Sequence, residues 1–185
     1  MNCRCKRGPF LLLALSLSLF LACEQGGIQR DLRRMMSKQV IMPSMLEKVQ
    51  RDSVLLCAMD ARAKCIIYID STECSSCKIG HLPRYDALYN LLKRDYSFDL
   101  MVVISPKAKE REWVIRQLQL SMGYPVYLDS GNRMLTLNPF IPQDNRFHCF
   151  LTDAQGKVAF VGDPTWGDKS NTYFLEVLEG LPGTE

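Results

Sequence analysis

Over most of its length the chain lacks net charge, internal repeats and long apolar runs. It has 23 basic and 20 acidic residues, and the three basic residues in excess all lie within the first seven positions. A chain whose remainder is neutral has no electrostatic footprint for nucleic acid, so we expect no nucleic-acid partner. No low-complexity tract and no second long apolar stretch follow the one near the N-terminus. These absences indicate one globular domain, long enough to bury a full core.

The one long apolar run covers residues 10–22, which carry no charge and follow Arg4, Lys6 and Arg7. Its thirteen residues are too few to span a bilayer. A basic start, a short apolar segment and a small residue before the cleavage point, here Ala22, are typical of a secretory signal. The sequence therefore predicts export to a compartment where disulfides persist.

The residue after this run makes the segment resemble a bacterial lipoprotein signal. Cys23 follows Ala22 directly, and Phe20 stands where Leu is usual. The resemblance implies that Cys23 is lipidated and anchors the protein in the cell envelope, on the periplasmic side of the inner or outer membrane or at the cell surface. The alternative is an ordinary secreted protein that is cut near Ala22.

A signal of this kind divides the chain into three parts. Residues 1–22 are the lipoprotein signal peptide, residues 23–60 a tether with an N-terminal extension, and residues 61–185 the folded domain. In the extension, residues 28–40 have the apolar spacing of a helix. Ser44 and the glutamate three residues later have the pattern of a helix capping box. We expect the extension to pack on the domain.

Eight cysteines occur, of which the signal holds two and the predicted lipid anchor is a third. The others are Cys57, Cys65, Cys74, Cys77 and Cys149. An odd number leaves at least one thiol unpaired in an oxidising compartment. The count fits one Cys-x-x-Cys pair, Cys74 with Cys77, beside isolated thiols. A bridge between Cys57 and Cys65 stays open, because the sequence does not show how close they lie.

From residue 65 onward, strand-like and helix-like segments alternate. Continuous β-branched and aromatic runs at residues 65–70 and 98–104 are typical of strands covered on both faces. Helical spacing follows each run, and a hairpin with its turn at residues 153–156 precedes a final helix. The predicted order is β-α-β-α-β-(α)-β-β-α. The sequence therefore predicts an α/β fold with a mixed central sheet and helices on both faces.

The cysteine pair stands where the first of these strands ends and a helix begins. Unpaired N–H groups at a helix N-terminus favour thiolate over thiol, so Cys74 is the predicted nucleophile. Cys77 lies one helical turn later, where it can close a disulfide as the more buried resolving thiol. Lys78 adds positive charge beside the pair, whereas Glu73 opposes it. The pattern indicates thiol–disulfide exchange.

Taken together, the strand, Cys-x-x-Cys, proline-interrupted helix, strand, helix, hairpin and final helix resemble the thioredoxin superfamily. The extra helix and strand at residues 107–128, with the lipid anchor, resemble proteins of the TlpA/ResA type. The segments IDSTECSSCK, YPVYLD and FLTDAQGKVAFVGDP are similar to thioredoxin-like lipoproteins of Bacteroides-type bacteria. The resemblance implies a three-layer thioredoxin-like fold and a lipid-anchored protein disulfide reductase that needs no cofactor. Its partners would be protein thiols or disulfides, an upstream redox protein, and the lipid membrane through Cys23.

The sequence departs from the thioredoxin pattern at three positions. Glu73 stands where Trp usually precedes the first cysteine, and Pro83 comes one residue later than usual. The proline that the family holds in the cis form before the hairpin strand is replaced, by position, by Phe147. In the family that proline shapes the substrate groove and keeps metal off the thiols. The absence of this proline therefore affects substrate recognition more than disulfide exchange. Because Cys149 lies two residues after Phe147, it is a candidate third redox thiol.

Two alternative functions compete with disulfide exchange. Ser71 and Cys74 fit the Ser-x-x-Cys part of a peroxiredoxin motif, and Arg146 lies one residue before the place of the helper arginine. Ile67, however, occupies the proline position of that motif. The other alternative is a non-catalytic thioredoxin-like binding protein, in which Cys74 and Cys77 form a static disulfide.

Metal binding is the third alternative. Cys74, Cys77 and His81 have the spacing of thiolate and imidazole ligands. Cys149 or His148, near the predicted hairpin, could complete such a site for copper or zinc. Because His81 lies four residues after Cys77, we expect it to point along the same helix face instead of converging on the thiols. The main prediction is therefore no metal.

Overall fold

The computed structural model describes residues 26–59, 63–96 and 98–181. Among these residues seven strands occur, and all of them join one sheet. They are β1 (Met45–Gln50), β2 (Ser53–Ala58), β3 (Lys64–Ile69), β4 (Asp99–Ile104), β5 (Val126–Leu128), β6 (Cys149–Thr152) and β7 (Val158–Val161). The signal segment and Cys23 lie outside the described residues.

Helices connect and flank these strands. The α-helices are α1 (26–35), α2 (Ser75–His81), α3 (Asp86–Asp95), α4 (Arg111–Ser121), α5 (Arg133–Leu137) and α6 (Asp168–Glu179). Short 3-10 turns occupy Leu82–Tyr85, Ala108–Glu110, Asn145–Phe147 and Pro164–Trp166. Pro83 in the first of these turns separates α2 from α3, because a proline has no N–H to continue the helix. No helix in the described part of the chain is long and apolar enough to cross a bilayer.

The sheet has the strand order β2-β1-β5-β4-β3-β6-β7. The central strands β3, β4 and β5 run parallel, whereas β1 pairs antiparallel with β5, and β6 pairs antiparallel with β3. All six residues of β3 are buried, as its unbroken apolar run predicts for a strand covered on both faces. The predicted mixed α/β sheet is thus confirmed. Strand β3 ends at Ile69, shortly before the cysteine pair.

Two hydrophobic clusters cover the two faces of the sheet. One cluster contains side chains of α2, α3, α4 and α6, such as Leu92, Val114 and Phe174. The other contains Met35 of α1 and Met134 of α5. Both crossovers, β3 to β4 and β4 to β5, step in the same direction along the sheet. Because such connections are right-handed, α2 through α4 must lie on one face.

The N-terminal extension contains a hairpin that the sequence pattern did not reveal. Residues 45–50 form β1 and not the start of a helix, so the capping box predicted at Ser44 is wrong. The exposed edge of β5 offers unpaired backbone groups, and pairing with them outweighs the local helical signal. The helix predicted over residues 28–40 is present as α1 but ends at residue 35, and Gln39 forms a β-bridge with Lys157 instead. The extension therefore packs on the domain, as expected, and also supplies two strands to its sheet.

Candidate functional site

Cys74 stands at the end of the short loop between β3 and α2, and Cys77 lies in the first turn of α2, at the carboxyl end of β3. Asp70 ends the strand, and its Oδ1 accepts hydrogen bonds from the backbone N–H and the hydroxyl of Thr72. Such a turn reverses the chain so that Cys74 occupies the N-cap position of α2. The predicted placement of Cys74, between strand and helix, is therefore the observed one.

Asn132, which follows β5 in the chain, holds this loop in place. It has a left-handed backbone conformation, with φ of 53°, which asparagine tolerates better than most residues. Its Oδ1 accepts from the backbone N–H of Ser71, and its Nδ2 donates to the Ser71 hydroxyl at 2.7 Å. The buried hydroxyl of Tyr68 lies 3.1 Å from the same Oδ1. The sequence pattern did not single out Asn132, because its partners come from a segment 61 residues away.

The two thiols lie together at the surface. Cys74 Sγ and Cys77 Sγ are 2.7 Å apart, both free and both exposed. The prediction that Cys77 is the more buried thiol therefore does not hold. The residues of α2 that face the core are Ser75 and Ile79, one turn apart, which leaves Cys77 on the outer face. Both sulfur atoms are thus within reach of a partner protein.

The pair is electrostatically asymmetric. The hydrogen bond from the Cys77 thiol, followed by one from Ser76, lowers the pKa of Cys74 from 9.0 to about 7. Backbone N–H groups at the start of α2 contribute in the same direction, as the helix position predicts. The same bond raises the pKa of Cys77, which holds the shared proton. Near neutral pH the thiolate therefore forms at Cys74 in preference to Cys77, in the direction that the sequence predicts.

The two intervening serines have different partners. Ser76 Oγ lies 3.2 Å from Cys74 Sγ, whereas the hydroxyl of Ser75 donates to Glu110 Oε2 at 3.0 Å. Of the two serines, only Ser76 can therefore stabilise the Cys74 thiolate directly.

Replacing Ser76 with alanine is expected to raise the pKa of Cys74 and slow its reaction below pH 7. The side-chain bond that favours the charged form is lost, so a higher pH is needed for the same thiolate fraction. The measurement is the rate of Cys74 alkylation by iodoacetamide against pH, with the midpoint near 7 in the parent protein. Ser75→Ala is the matched control and should leave the midpoint in place. Equal midpoints for Ser76→Ala and the parent would contradict this role of Ser76.

Glu73 and Lys78 neutralise one another beside the pair. Lys78 Nζ and Glu73 Oε2 form a close ion pair, and Asn145 Nδ2 donates to the same oxygen at 2.9 Å. The two opposing charges that the sequence placed around the cysteines therefore pair with each other. They also connect α2 to the loop that precedes β6.

Two depressions adjoin the loop, one on each side. Cys74 opens into the smaller, of about 440 Å³, where Lys107, Glu110 and Trp113 form the opposite wall. The larger, of about 710 Å³, lies between α2 and the loops around β6 and β7, and exposed Trp166 stands at its rim. The nucleophile therefore faces the smaller groove.

The remaining cysteines are not arranged to take part. Cys149 and Cys65 lie on the adjacent strands β6 and β3. The thiol hydrogen bond with Cys65, together with burial, raises the pKa of Cys149, so it stays protonated near neutral pH. Cys57 lies on β2, four inter-strand spacings from β3, or roughly 19 Å. A bridge needs Cα atoms within about 7 Å, so Cys57 and Cys65 cannot pair.

The other predicted accessory residues have separate positions. Arg146 pairs with Asp144 at 2.6 Å, and that bond lowers the pKa of the Asp144 carboxyl. Phe147, at the expected place of the cis-proline, is buried in the core cluster on the α1 face. No cis peptide bond occurs in the described ranges. His81 is exposed at the end of α2.

A different group of side chains converges where the sequence predicted none. Asp70, Glu73 and His148 each present one ligand atom, and these atoms lie within 4.8 Å of one another. Within residues 26–59, 63–96 and 98–181 this is the only such group, so Cys74, Cys77 and His81 do not form one. Residues 70, 73 and 148 form no recognisable sequence motif, because His148 lies far from the other two in the chain.

The chain is similar in fold to solved structures of other proteins. A candidate protein disulfide isomerase from Bacteroides thetaiotaomicron superimposes with a TM-score of 0.51 at 12% identity, over 79% of this chain and 89% of that one. The fold is thioredoxin-like.

Two further solved structures are similar, and no sequence family is identified. An uncharacterised thioredoxin-like protein from Porphyromonas gingivalis has a TM-score of 0.49 at 15% identity, over 78% of this chain and 94% of that one. A candidate thiol:disulfide interchange protein DsbE from Chlorobium tepidum has a TM-score of 0.49 at 17% identity, over 77% and 99%. No protein-family model and no curated protein matches the chain.

Proposed function

We propose that the protein is an extracytoplasmic, lipid-anchored thiol–disulfide oxidoreductase that acts on protein substrates. The observation that carries the proposal is the polarised cysteine pair, in which the pKa of Cys74 is lowered to about 7 while that of Cys77 is raised. A thiolate and a thiol 2.7 Å apart at the surface are what disulfide exchange needs. The position of Cys74 at the N-cap of α2, within a thioredoxin-like fold, supports the proposal.

In the reductive direction the Cys74 thiolate attacks one sulfur of a substrate disulfide. The substrate S–S bond breaks, a mixed disulfide with Cys74 forms, and the departing substrate thiolate takes up a proton. Cys77 then loses its proton and attacks Cys74 Sγ, which releases the second substrate thiolate and leaves a Cys74–Cys77 disulfide. Two electrons pass from the pair to the substrate, so an upstream dithiol protein must restore the pair.

The groove beside Cys74 supports a protein substrate. Trp113 is 38% exposed in its wall and gives an extended peptide an apolar contact. Lys107 and Glu110 add one charge of each sign. Because Phe147 replaces the usual cis-proline, the substrate backbone would rely on this wall more than on the strand end.

The proposed location follows from the sequence of the first 23 residues. The signal of residues 1–22 directs export, and lipidation of Cys23 holds the mature protein at a membrane. No cofactor enters the reaction, because both redox groups belong to the chain.

The reduction potential of the Cys74–Cys77 pair tests the proposal. The full chain in detergent is equilibrated in glutathione or dithiothreitol buffers, and the oxidised fraction of the pair is measured by thiol trapping and mass spectrometry. We expect a reversible couple between roughly −120 and −270 mV, the range of exchange proteins. A pair that stays oxidised well below about −300 mV would be a structural bridge, and the protein would then be a non-catalytic binding module.

A further inference from the structure

His148 is a buried side chain with one nitrogen that lacks a hydrogen-bond partner. It is 2% exposed, and its Nε2 lies 2.9 Å from the carbonyl oxygen of Pro142. A carbonyl only accepts, so Nε2 carries the hydrogen and neutral His148 presents a lone pair at Nδ1. Within the described residues, Nδ1 has no hydrogen-bond donor or acceptor, which is unusual for a buried polar atom.

The atoms that face this lone pair are also acceptors. Asp70 Oδ2 lies 3.8 Å from His148 Nδ1, and Asp70 itself is 5% exposed. Its other oxygen, Oδ1, is already bonded to Thr72. A carboxylate oxygen of Glu73 completes the group within 4.8 Å. Three electron-pair donors thus converge in a largely buried space, and a cation bound between them would relieve their repulsion.

The surrounding contacts orient these groups and leave atoms available for a ligand. Lys78 and Asn145 both bind Glu73 at Oε2, so its Oε1 is available. The bond from His148 Nε2–H to a backbone carbonyl is the second-shell contact that metal-ligating histidines usually make. In Asp70 and His148, one atom therefore faces the other side chains of the group and a second atom is held by the protein.

We infer that Asp70, Glu73 and His148 bind a divalent transition-metal ion, with Zn²⁺ as the ion that best suits one imidazole and two carboxylates. Zinc bonds to nitrogen and carboxylate oxygen of 2.0–2.2 Å place two tetrahedral ligands about 3.4 Å apart. The observed 3.8 Å between His148 Nδ1 and Asp70 Oδ2 is close to that separation. Three protein ligands leave a fourth position for water. The site uses no thiolate, so it is distinct from the cysteine pair.

Zinc binding is measured on the full chain in detergent, in a Cys74→Ser/Cys77→Ser background that removes the exposed pair as a competing ligand. We expect one Zn²⁺ per chain by titration calorimetry and elemental analysis. Asp70→Asn and His148→Gln should each weaken the affinity by at least about 10–100-fold, the loss seen when metal-ligand shells are disturbed. His81→Gln is the matched control, because His81 is the other histidine of the chain, and it should leave binding unchanged.

Thermal unfolding without metal separates lost ligation from lost folding. Asn at position 70 keeps the acceptor for Thr72 and adds an amide that can donate to His148 Nδ1, so Asp70→Asn should be at least as stable as its parent. Glu73→Gln is a further variant, which keeps the size of the side chain and should also weaken zinc binding. Absence of zinc binding in the parent background, or full binding in Asp70→Asn and His148→Gln, would overturn the inference.

Discussion

Replacing Cys74 with serine is expected to lower insulin disulfide reduction by roughly a thousandfold or more, because a serine hydroxyl is not ionised near pH 7 and cannot attack the disulfide. Cys77→Ser should behave differently. Cys74 can still attack, but no second thiol resolves the product, so a mixed disulfide with substrate accumulates. The two variants thus separate the attacking from the resolving role.

The rates are measured as insulin reduction by the full chain in detergent with excess dithiothreitol. The trapped complex is sought in a separate reaction, in which the pre-reduced variant, freed of dithiothreitol, meets insulin and non-reducing mass spectrometry follows. Cys57→Ser is the control, since Cys57 lies at the far edge of the sheet, roughly 19 Å from β3. It should retain the parent rate. Unchanged reduction by Cys74→Ser, or trapping in Cys74→Ser instead of Cys77→Ser, would contradict the assigned roles.

Truncating Phe174 to alanine should lower the free energy of unfolding by about 3–5 kcal/mol. Phe174 lies on α6 and has no exposed surface, and its ring meets Phe160 of β7 edge-on at 5.5 Å. The truncation removes apolar contacts and leaves a cavity between helix and sheet that the rigid strands cannot fill. This loss is a large part of the 5–15 kcal/mol that stabilises a typical domain.

The adjacent Tyr173 provides a matched control for Phe174. It is 60% exposed and makes a more distant, tilted contact with the same Phe160 ring at 5.8 Å. Tyr173→Ala should therefore cost at most about 1 kcal/mol. Urea unfolding followed by circular dichroism measures both variants. Equal losses for the two truncations would show that α6 does not pack on the sheet in this register.

The cysteine site was predictable because its signal is local. The apolar run of β3, the Cys-x-x-Cys spacing and the proline after it occupy one continuous segment, and each feature alone indicates strand, helix or redox pair. Right-handed crossovers then leave few ways to arrange the parallel strands. The identity of the nucleophile followed from the helix position, and the lowered pKa of Cys74 agrees with it.

The β1–β2 hairpin could not be predicted from its own residues. Its turn, between Gln50 and Ser53, contains neither glycine nor asparagine, and Arg51 takes the positive φ. Three of the residues of β2, Val54, Leu55 and Leu56, are exposed, so no clean alternation of apolar and polar residues marks the strand. Backbone pairing with β5 decides its structure, and that partner lies some 80 residues later in the chain.

The sequence by itself determined the position of the cysteine pair between a strand and a helix, and the order of strands and helices from residue 65 onward, because these depend on neighbouring residues and on chain handedness. Only the tertiary structure decided which face of α2 carries Cys77, how Asn132 holds the loop, and which side chains converge on His148. Those outcomes depend on distances between residues from different strands. Sequence spacing does not report such distances, since the packing of the whole sheet sets them.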